Sequence, residues 1–194
     1  MEDKKANIFN CGKSLFSSKG FKDTNVSDIT KMAGIAVGTF YNYYPSKEKL
    51  FIDIYLKENE KLRKSIMESI DMNDDPVKVV KEAITQGLNS MNSNPILKEW
   101  YNRDLFSKLE KEFFEEGGIE STLKQSNSGL AELIKKWKAE KKIRNDLDDE
   151  FILVLFNSIS YVDIHKEEIG IRHFPDIVEY LAEFIIKGLT DMPK

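Results

Sequence analysis

Apolar residues recur every three to four positions along this chain, and no stretch alternates strictly between apolar and polar up to an Asn-Gly or Asp-Gly turn. A period near 3.6 places side chains on one stripe of a helix, whereas a half-buried strand needs a period of two. The pattern predicts an all-α chain. Prolines and glycines fall mostly between the periodic stretches and divide them into about nine helices. The expected spans are 4–19, 26–33, 37–43, 46–70, 76–91, 95–114, 119–141, 148–164 and 174–190. Gly20 and Gly34 stand where left-handed caps would end helices. Thr24 or Asn25, and later Ser46, are suited to cap helix starts. Pro45 biases Tyr44 away from helical geometry. Asn73–Pro76 and Asn92–Pro95 read as turns that open helices with proline at or near the first position, and Gly117-Gly118 reads as a break. Ser126–Gly129 weakens the middle of the helix that follows. Lys166–Arg172 reads as a linker flanked by His165 and His173, which are expected at the surface or an interface.

Composition excludes several classes. Hydrophobic residues make up 41% and charged residues 32% of the 194, an ordinary globular balance. No apolar run approaches the ~18–20 residues that crossing a bilayer requires. Met1-Glu2-Asp3-Lys4-Lys5 has no apolar stretch behind it, so no secretory signal and no membrane role are expected, and the location expected is cytoplasmic. The single cysteine, Cys11, cannot form an internal disulfide and fits a small-residue packing slot, with a redox role as the alternative. No H-E-x-x-H, G-x-S-x-G, P-loop or dinucleotide fingerprint is present, and His165 lacks a glutamate three residues before it. Neither a metal, a cofactor nor an enzyme is expected. Charge is uneven: residues 1–50 hold eight lysines against five acids, while the chain as a whole is −4 and residues 51–194 carry −7. A basic head on an acidic body suits a module that meets a polyanion.

Thr24–Phe51 carries the functional signal. It reads as a short helix, a Gly34-centred turn, a second short helix and a capped long helix, with Ile29 and Met32 able to meet Ile35 and Phe40. That order is a helix-turn-helix. The second helix offers Thr39, Tyr41, Asn42 and Tyr43 outward, with Lys47 just beyond. Hydroxyls, an amide and an ammonium suit phosphate oxygens and base edges. Phe40 and Tyr44 are expected in the core. Tyr41 and Tyr43 could instead pack on an adjacent helix, and Lys47 could be a solvated lysine. Its place in a first helical turn opposes the helix dipole, which a nearby phosphate would explain.

These residues resemble the DNA-binding domain of the TetR (tetracycline-repressor) family of bacterial regulators. The shared positions are Ile8, Cys11-Gly12, Phe16, Gly20-Phe21, Thr24, Asp28-Ile29, Ala33-Gly34-Ile35, Gly38-Thr39, Tyr41, Tyr43-Tyr44, Ser46-Lys47-Glu48 and Leu50. The match covers about a quarter of the chain. The resemblance implies that Thr24 and Asn25 contact or position phosphate and that Tyr41, Tyr43 and Lys47 bind backbone phosphates. It implies that Val37, Gly38, Thr39 and Asn42 approach bases in the major groove of double-stranded DNA. Two departures stand out. The family often has Ser-Lys where this chain has Ala36-Val37, and usually Ala in place of Thr30. Base reading would then rest on Val37 or Thr39 against thymine methyls and Asn42 against adenine, at an A/T-rich half-site.

The expected organisation is a helix-turn-helix domain at residues 1–50 and a helical ligand-binding and dimerisation domain at residues 51–194. The last two long helices are apolar on several faces, which implies burial on several faces. One side would face its own core and the other a second copy, through Phe151, Leu155, Ile159, Ile177, Leu181, Phe184 and Ile185; burial within one subunit is the alternative. Aromatic residues crowd the region between head and last helices: Tyr55, Trp100, Tyr101, Phe106, Phe113, Phe114, Trp137, Phe156 and Tyr161. Trp100, Tyr101, Trp137, Asn157 and Tyr161 are the expected lining of an effector pocket, although any one of them could simply pack the core. The function expected is a homodimeric regulator, a repressor released from a palindromic operator by a small, largely apolar or aromatic effector. A constitutive DNA-binding protein controlled by a partner protein is the alternative.

Overall fold

The structure, a computed structural model, describes residues 4–102, 105, 108–109 and 118–191. The described residues contain no strand. Their α-helices include α1 (Lys4–Lys19), α2 (Val26–Ala33), α3 (Val37–Tyr41), α4 (Lys47–Ser69), α5 (Pro76–Ser93), α6 (Gly118–Ala139), α7 (Asp149–Ile164), α8 (Lys166–Ile169) and α9 (Asp176–Thr190). No helix among the described residues is long and apolar enough to cross a membrane.

Local chemistry sets most of these ends. Asn25 Oδ1 accepts from Asp28 N at 2.8 Å and caps α2, while the Asp148 carboxylate accepts from Phe151 N at 2.7 Å and caps α7. The Asp75 carboxylate accepts from Val77 N and Lys78 N at the start of α5. Gly34 closes α2 at φ +66°. Its N–H reaches Lys31 O at 3.4 Å, and Ile35 N reaches Thr30 O at 3.0 Å, the paired bonds of a Schellman cap.

Three expectations are corrected. Helix α3 stops at Tyr41 rather than Tyr43, because Tyr43 N and Tyr44 N both turn back to Phe40 O ahead of Pro45. The Lys166–Arg172 linker is folded into α8 and a 3-10 turn over Ile171–His173. The segment after Pro95 opens as a 3-10 turn, Leu97–Tyr101, with Asn94 Oδ1 accepting from Ile96 N at 2.9 Å. Farther along the helix expected to residue 114, Leu105, Lys108 and Leu109 are helical, whereas Phe106, Phe113 and Phe114 lie outside the described residues, as do the side chains of Ser126, Asn127 and Ser128.

The chain divides into two compact units, Met1–Leu62 with Ser90–Ile119, and Arg63–Asn89 with Glu120–Lys194. The unit that contains α1–α3 thus extends past residue 50. Its core joins Ile8, Phe16, Phe21, Ile29, Phe40, Leu50, Phe51 and Ile54 to Ile96, Leu97, Leu105 and Leu109. Phe16, Phe21 and Phe51 form a three-ring cluster with centroids 5.1–5.7 Å apart. Gly12 lets α1 and α4 close: a Cβ there would stand 2.7 Å from Leu50 Cδ2, closer than packed carbons approach. Glu58, only 9% exposed, binds Lys13 Nζ at 2.6 Å, Lys61 Nζ at 3.1 Å and Asn94 Nδ2 at 3.4 Å. Burial pushes its carboxyl up, but the bonds and charges of Lys13 and Lys61 outweigh it and hold the pKa below the ordinary value.

The second unit packs Ile70, Val79, Val80, Ile134, Trp137, Ile143, Ile152, Ala182, Ile186 and Leu189 together. Lysines stitch its edges: Lys138 Nζ donates to Asp149 Oδ1 at 2.6 Å and Lys136 Nζ to Asn73 Oδ1 at 2.5 Å. Lys142 Nζ donates to Asn73 O at 2.6 Å.

Candidate nucleic-acid interface

The helix-turn-helix stands on α1 and α4. Asn7 Nδ2 donates to Ala33 O at 3.0 Å, tying α1 to the last residue of α2. Ile29 and Phe40 have no exposed surface, so they fix the packing of α2 on α3. Thr30 is buried, and its hydroxyl is satisfied by Ser27 O at 3.1 Å. This accommodates a threonine in a slot that otherwise suits a small apolar residue.

With Phe40 turned inward, the opposite face of α3 is open. Val37 is 45% exposed, Tyr41 52% and Tyr43 39%. Gly38 and Asn42 are exposed and Thr39 is half-buried. Tyr41 sets its ring edge-on to Phe40 at 5.4 Å, so the core orients it without covering it. Tyr44 is buried, as expected, with its hydroxyl donating to Asp53 Oδ2 at 2.7 Å.

Thr24 and Lys47 are used differently from the other residues of this surface. Thr24 is 1% exposed and its hydroxyl donates to Gly20 O at 2.8 Å. It is withdrawn from the surface and positions its neighbours instead. Lys47 Nζ donates to Phe21 O at 2.9 Å and Thr24 O at 2.7 Å, and lies 4.0 Å from the centroid of the Phe21 ring. Those carbonyls and the ring face explain a lysine in the first turn of α4 without any external anion. Burial lowers its pKa, Lys108 adds to that push, and Glu48 and Asp23 oppose it. Sequence spacing could not show this role, because the partners lie 23 and 26 positions away. Asn25 caps α2 at an exposed position, with its amide nitrogen on the same loop. Val37, Gly38, Tyr41, Asn42 and Tyr43 thus share one exposed stretch of chain, with Thr39 partly covered.

The residues expected to line an effector pocket divide between the units. Trp100 and Tyr101 belong to the first, where Trp100 stacks on Tyr55 at 5.2 Å and 18°. Trp137, Asn157 and Tyr161 belong to the second. Trp137 is fully buried and, among the described residues, its indole N–H has no hydrogen-bond partner; Asn157 is half-buried, and Tyr161 is exposed. A cleft of about 120 Å³ in this unit runs between α5 and α9, lined by Val77, Val80, Lys81, Ile84, Glu179, Glu183, Ile186 and Lys187. None of the five expected residues lines it. The residues expected at a dimer interface lie on α7 and α9, which pack together. Phe151 and Phe184 are exposed, whereas Leu155, Ile159, Ile177, Leu181 and Ile185 are half-buried. Val154, Tyr161 and Tyr180 join the exposed apolar surface; their helical spacing from Phe151 and Phe184 could have shown this.

An exposed, uncharged α3 on a three-helix head defines a helix-turn-helix DNA-binding protein. Residues 8–54 match the profile of the bacterial regulatory proteins, tetR family, so the head of the chain is similar to the DNA-binding domain of that family of transcriptional regulators. The chain is 25% identical over 183 residues to the uncharacterized HTH-type transcriptional regulator YvaF of Bacillus subtilis, covering 91% of this chain and 90% of that one. It is 34% identical over 97 residues to the regulator EthR of Mycolicibacterium smegmatis, covering 48% and 44%. Among solved structures, RolR bound to resorcinol shares the fold with a TM-score of 0.69 at 14% identity, over 96% of this chain and 87% of that one. The Thermus thermophilus repressor FadR bound to lauroyl-CoA gives 0.65 at 19% identity, over 95% and 94%.

Proposed function

We propose that this regulator is a homodimeric repressor that leaves a palindromic operator when a small, largely apolar or aromatic effector binds its helical body. The observation that carries the dimer is the exposed surface of Phe151, Val154 and Tyr161 on α7 with Tyr180 and Phe184 on α9. Large apolar side chains gathered on one face mark an interaction surface, and a second copy would supply a two-fold partner for the second half-site. Two recognition helices would then enter successive major grooves about 34–36 Å apart. Val37, Gly38, Thr39 and Asn42 would face bases; Asn25, Tyr41, Tyr43 and the remaining N–H of Lys47 would face phosphates, with Thr24 holding that loop. The cytoplasm, where the bacterial chromosome lies, would be its place of action.

Two features support an effector. The buried indole N–H of Trp137 has no partner among the described residues, an arrangement that costs about 1–3 kcal/mol unless something accepts from it. RolR and FadR, which share the fold, carry an aromatic and an acyl ligand. Asn157 and Tyr161, in the same unit as Trp137, remain the other proposed contacts. By linkage, effector and DNA would weaken each other, typically by ~1–3 kcal/mol. The chain offers a mechanical route, since α4 is one unbroken helix whose residues belong to both units. Control by a partner protein, with DNA binding otherwise constitutive, is the competing reading.

Selection of bound DNA from a random pool at two salt concentrations tests the core of this. A palindrome whose affinity falls steeply with salt is expected. An asymmetric site bound by a single copy would refute the dimeric reading. Mass spectrometry of molecules co-purifying with the protein tests the effector.

A further inference from the structure

We infer that Val37 reads the C5-methyl group of a pyrimidine in the major groove, so that one position of each half-site is recognised by apolar contact rather than by charge. The inference rests on the proposal that α3 enters that groove. From Met32 to Ser46 the chain has no charged side chain, so α3 and its flanks hold no cation to bind guanine O6 and N7. Lys47, the next cation along the chain, already donates to the Phe21 and Thr24 carbonyls. Val37 is the first residue of α3 and 45% exposed, while the core beneath is completed by Phe40. It is not needed for packing, and as a β-branched residue it is stiff. Thr39 is half-buried, which favours Val37 over Thr39 as the methyl contact.

The chemistry of the groove narrows what such a side chain can distinguish. Each base pair shows a different set of donors and acceptors, and the T·A pair adds a methyl group. Valine has neither a donor nor an acceptor, so the methyl is the feature it can select. Thymine supplies that group, and 5-methylcytosine carries the same one. Asn42, exposed at the other end of α3, has the amide that can pair with adenine. Gly38 lies between them, and a Cβ there would meet nothing within 4 Å in this chain, so no internal contact demands a glycine. A bare backbone next to Val37 suits close approach to a duplex.

The test uses the full chain and the site enriched from random DNA. Each thymine is replaced in turn by uracil, which removes only the methyl, and the affected T·A pair is also replaced by 5-methylcytosine·G. One uracil position per half-site should weaken binding about fourfold, the equivalent of about 0.8 kcal/mol for a buried methyl. At that position 5-methylcytosine should be bound better than cytosine. Val37→Ala, a change at an exposed position, should bind the thymine and uracil sites alike. If no uracil position weakens binding, or if Val37→Ala keeps the preference for thymine, the inference is overturned. An enriched site without methyl sensitivity defeats only this inference, whereas failure to enrich any site defeats the groove reading beneath it.

Discussion

Replacing Glu58 with glutamine should loosen the first unit in a way that depends on pH. The carboxylate is 9% exposed and receives Lys13 at 2.6 Å, Lys61 at 3.1 Å and Asn94 at 3.4 Å. A hydrogen bond to a charged group contributes about 1.5–3 kcal/mol. Both lysines retain access to water, with side chains 34% and 67% exposed, so each recovers part of its solvation when the charge disappears. The net loss for Glu58→Gln should be about 1–2 kcal/mol at pH 7. Glu58 is a carboxyl whose folded pKa is depressed, so its stabilisation is present above the unfolded value of about 4.3 and is lost as pH falls through the folded value. Urea unfolding of both proteins from pH 7 to pH 3 measures this. The difference in stability should be full at neutral pH and should shrink below about pH 4. A difference that is zero at pH 7, or one that does not change down to pH 3, would refute the reasoning.

Lys47→Met should cost about 1–2 kcal/mol of stability, since it strips two bonds from the Phe21 and Thr24 carbonyls. If its third N–H also meets phosphate, the salt slope of DNA binding should fall by about one; an unchanged slope would leave it a purely internal residue. Gly38→Ala should leave the fold unharmed or stabilise it by up to about 1 kcal/mol, because the new methyl meets nothing, yet it should weaken DNA binding. Equal affinity would show that α3 does not come close to the duplex there. Phe184→Asp, at a position 64% exposed, should shift the sedimentation equilibrium from dimer to monomer without loss of helical signal, and an unchanged mass would remove the α7–α9 surface from the interface. Gly34→Ala should destabilise the head by about 1–2 kcal/mol in thermal unfolding, because its φ of +66° disfavours a side chain.

The helices were legible in the sequence where their ends depend on neighbours a few residues away. Helix α1 and helix α2 fall where periodicity and Gly20, Asn25 and Gly34 place them, and Asp148 marks the start of α7. The exposed face of α3 was legible too, since a short helix that turns Phe40 inward must turn Val37, Tyr41 and Asn42 elsewhere. The 3-10 turn at Leu97–Tyr101 and the short helix α8 were less legible, because no long periodic stretch announces a single turn.

Long-range pairing lay beyond the sequence pattern. That Lys47 binds carbonyls of the α1–α2 loop and that Glu58 gathers Lys13 and Asn94 both depend on residues 23 to 45 positions apart meeting in space. The same holds for Ser90–Ile119, which belongs to the compact unit of the head. Helix type and end follow from hydrogen bonds that close within one or two turns, so the order of residues determined them. Which polar side chain serves the surface and which serves the interior depends on what the folded chain brings beside it, and only the tertiary structure decided that.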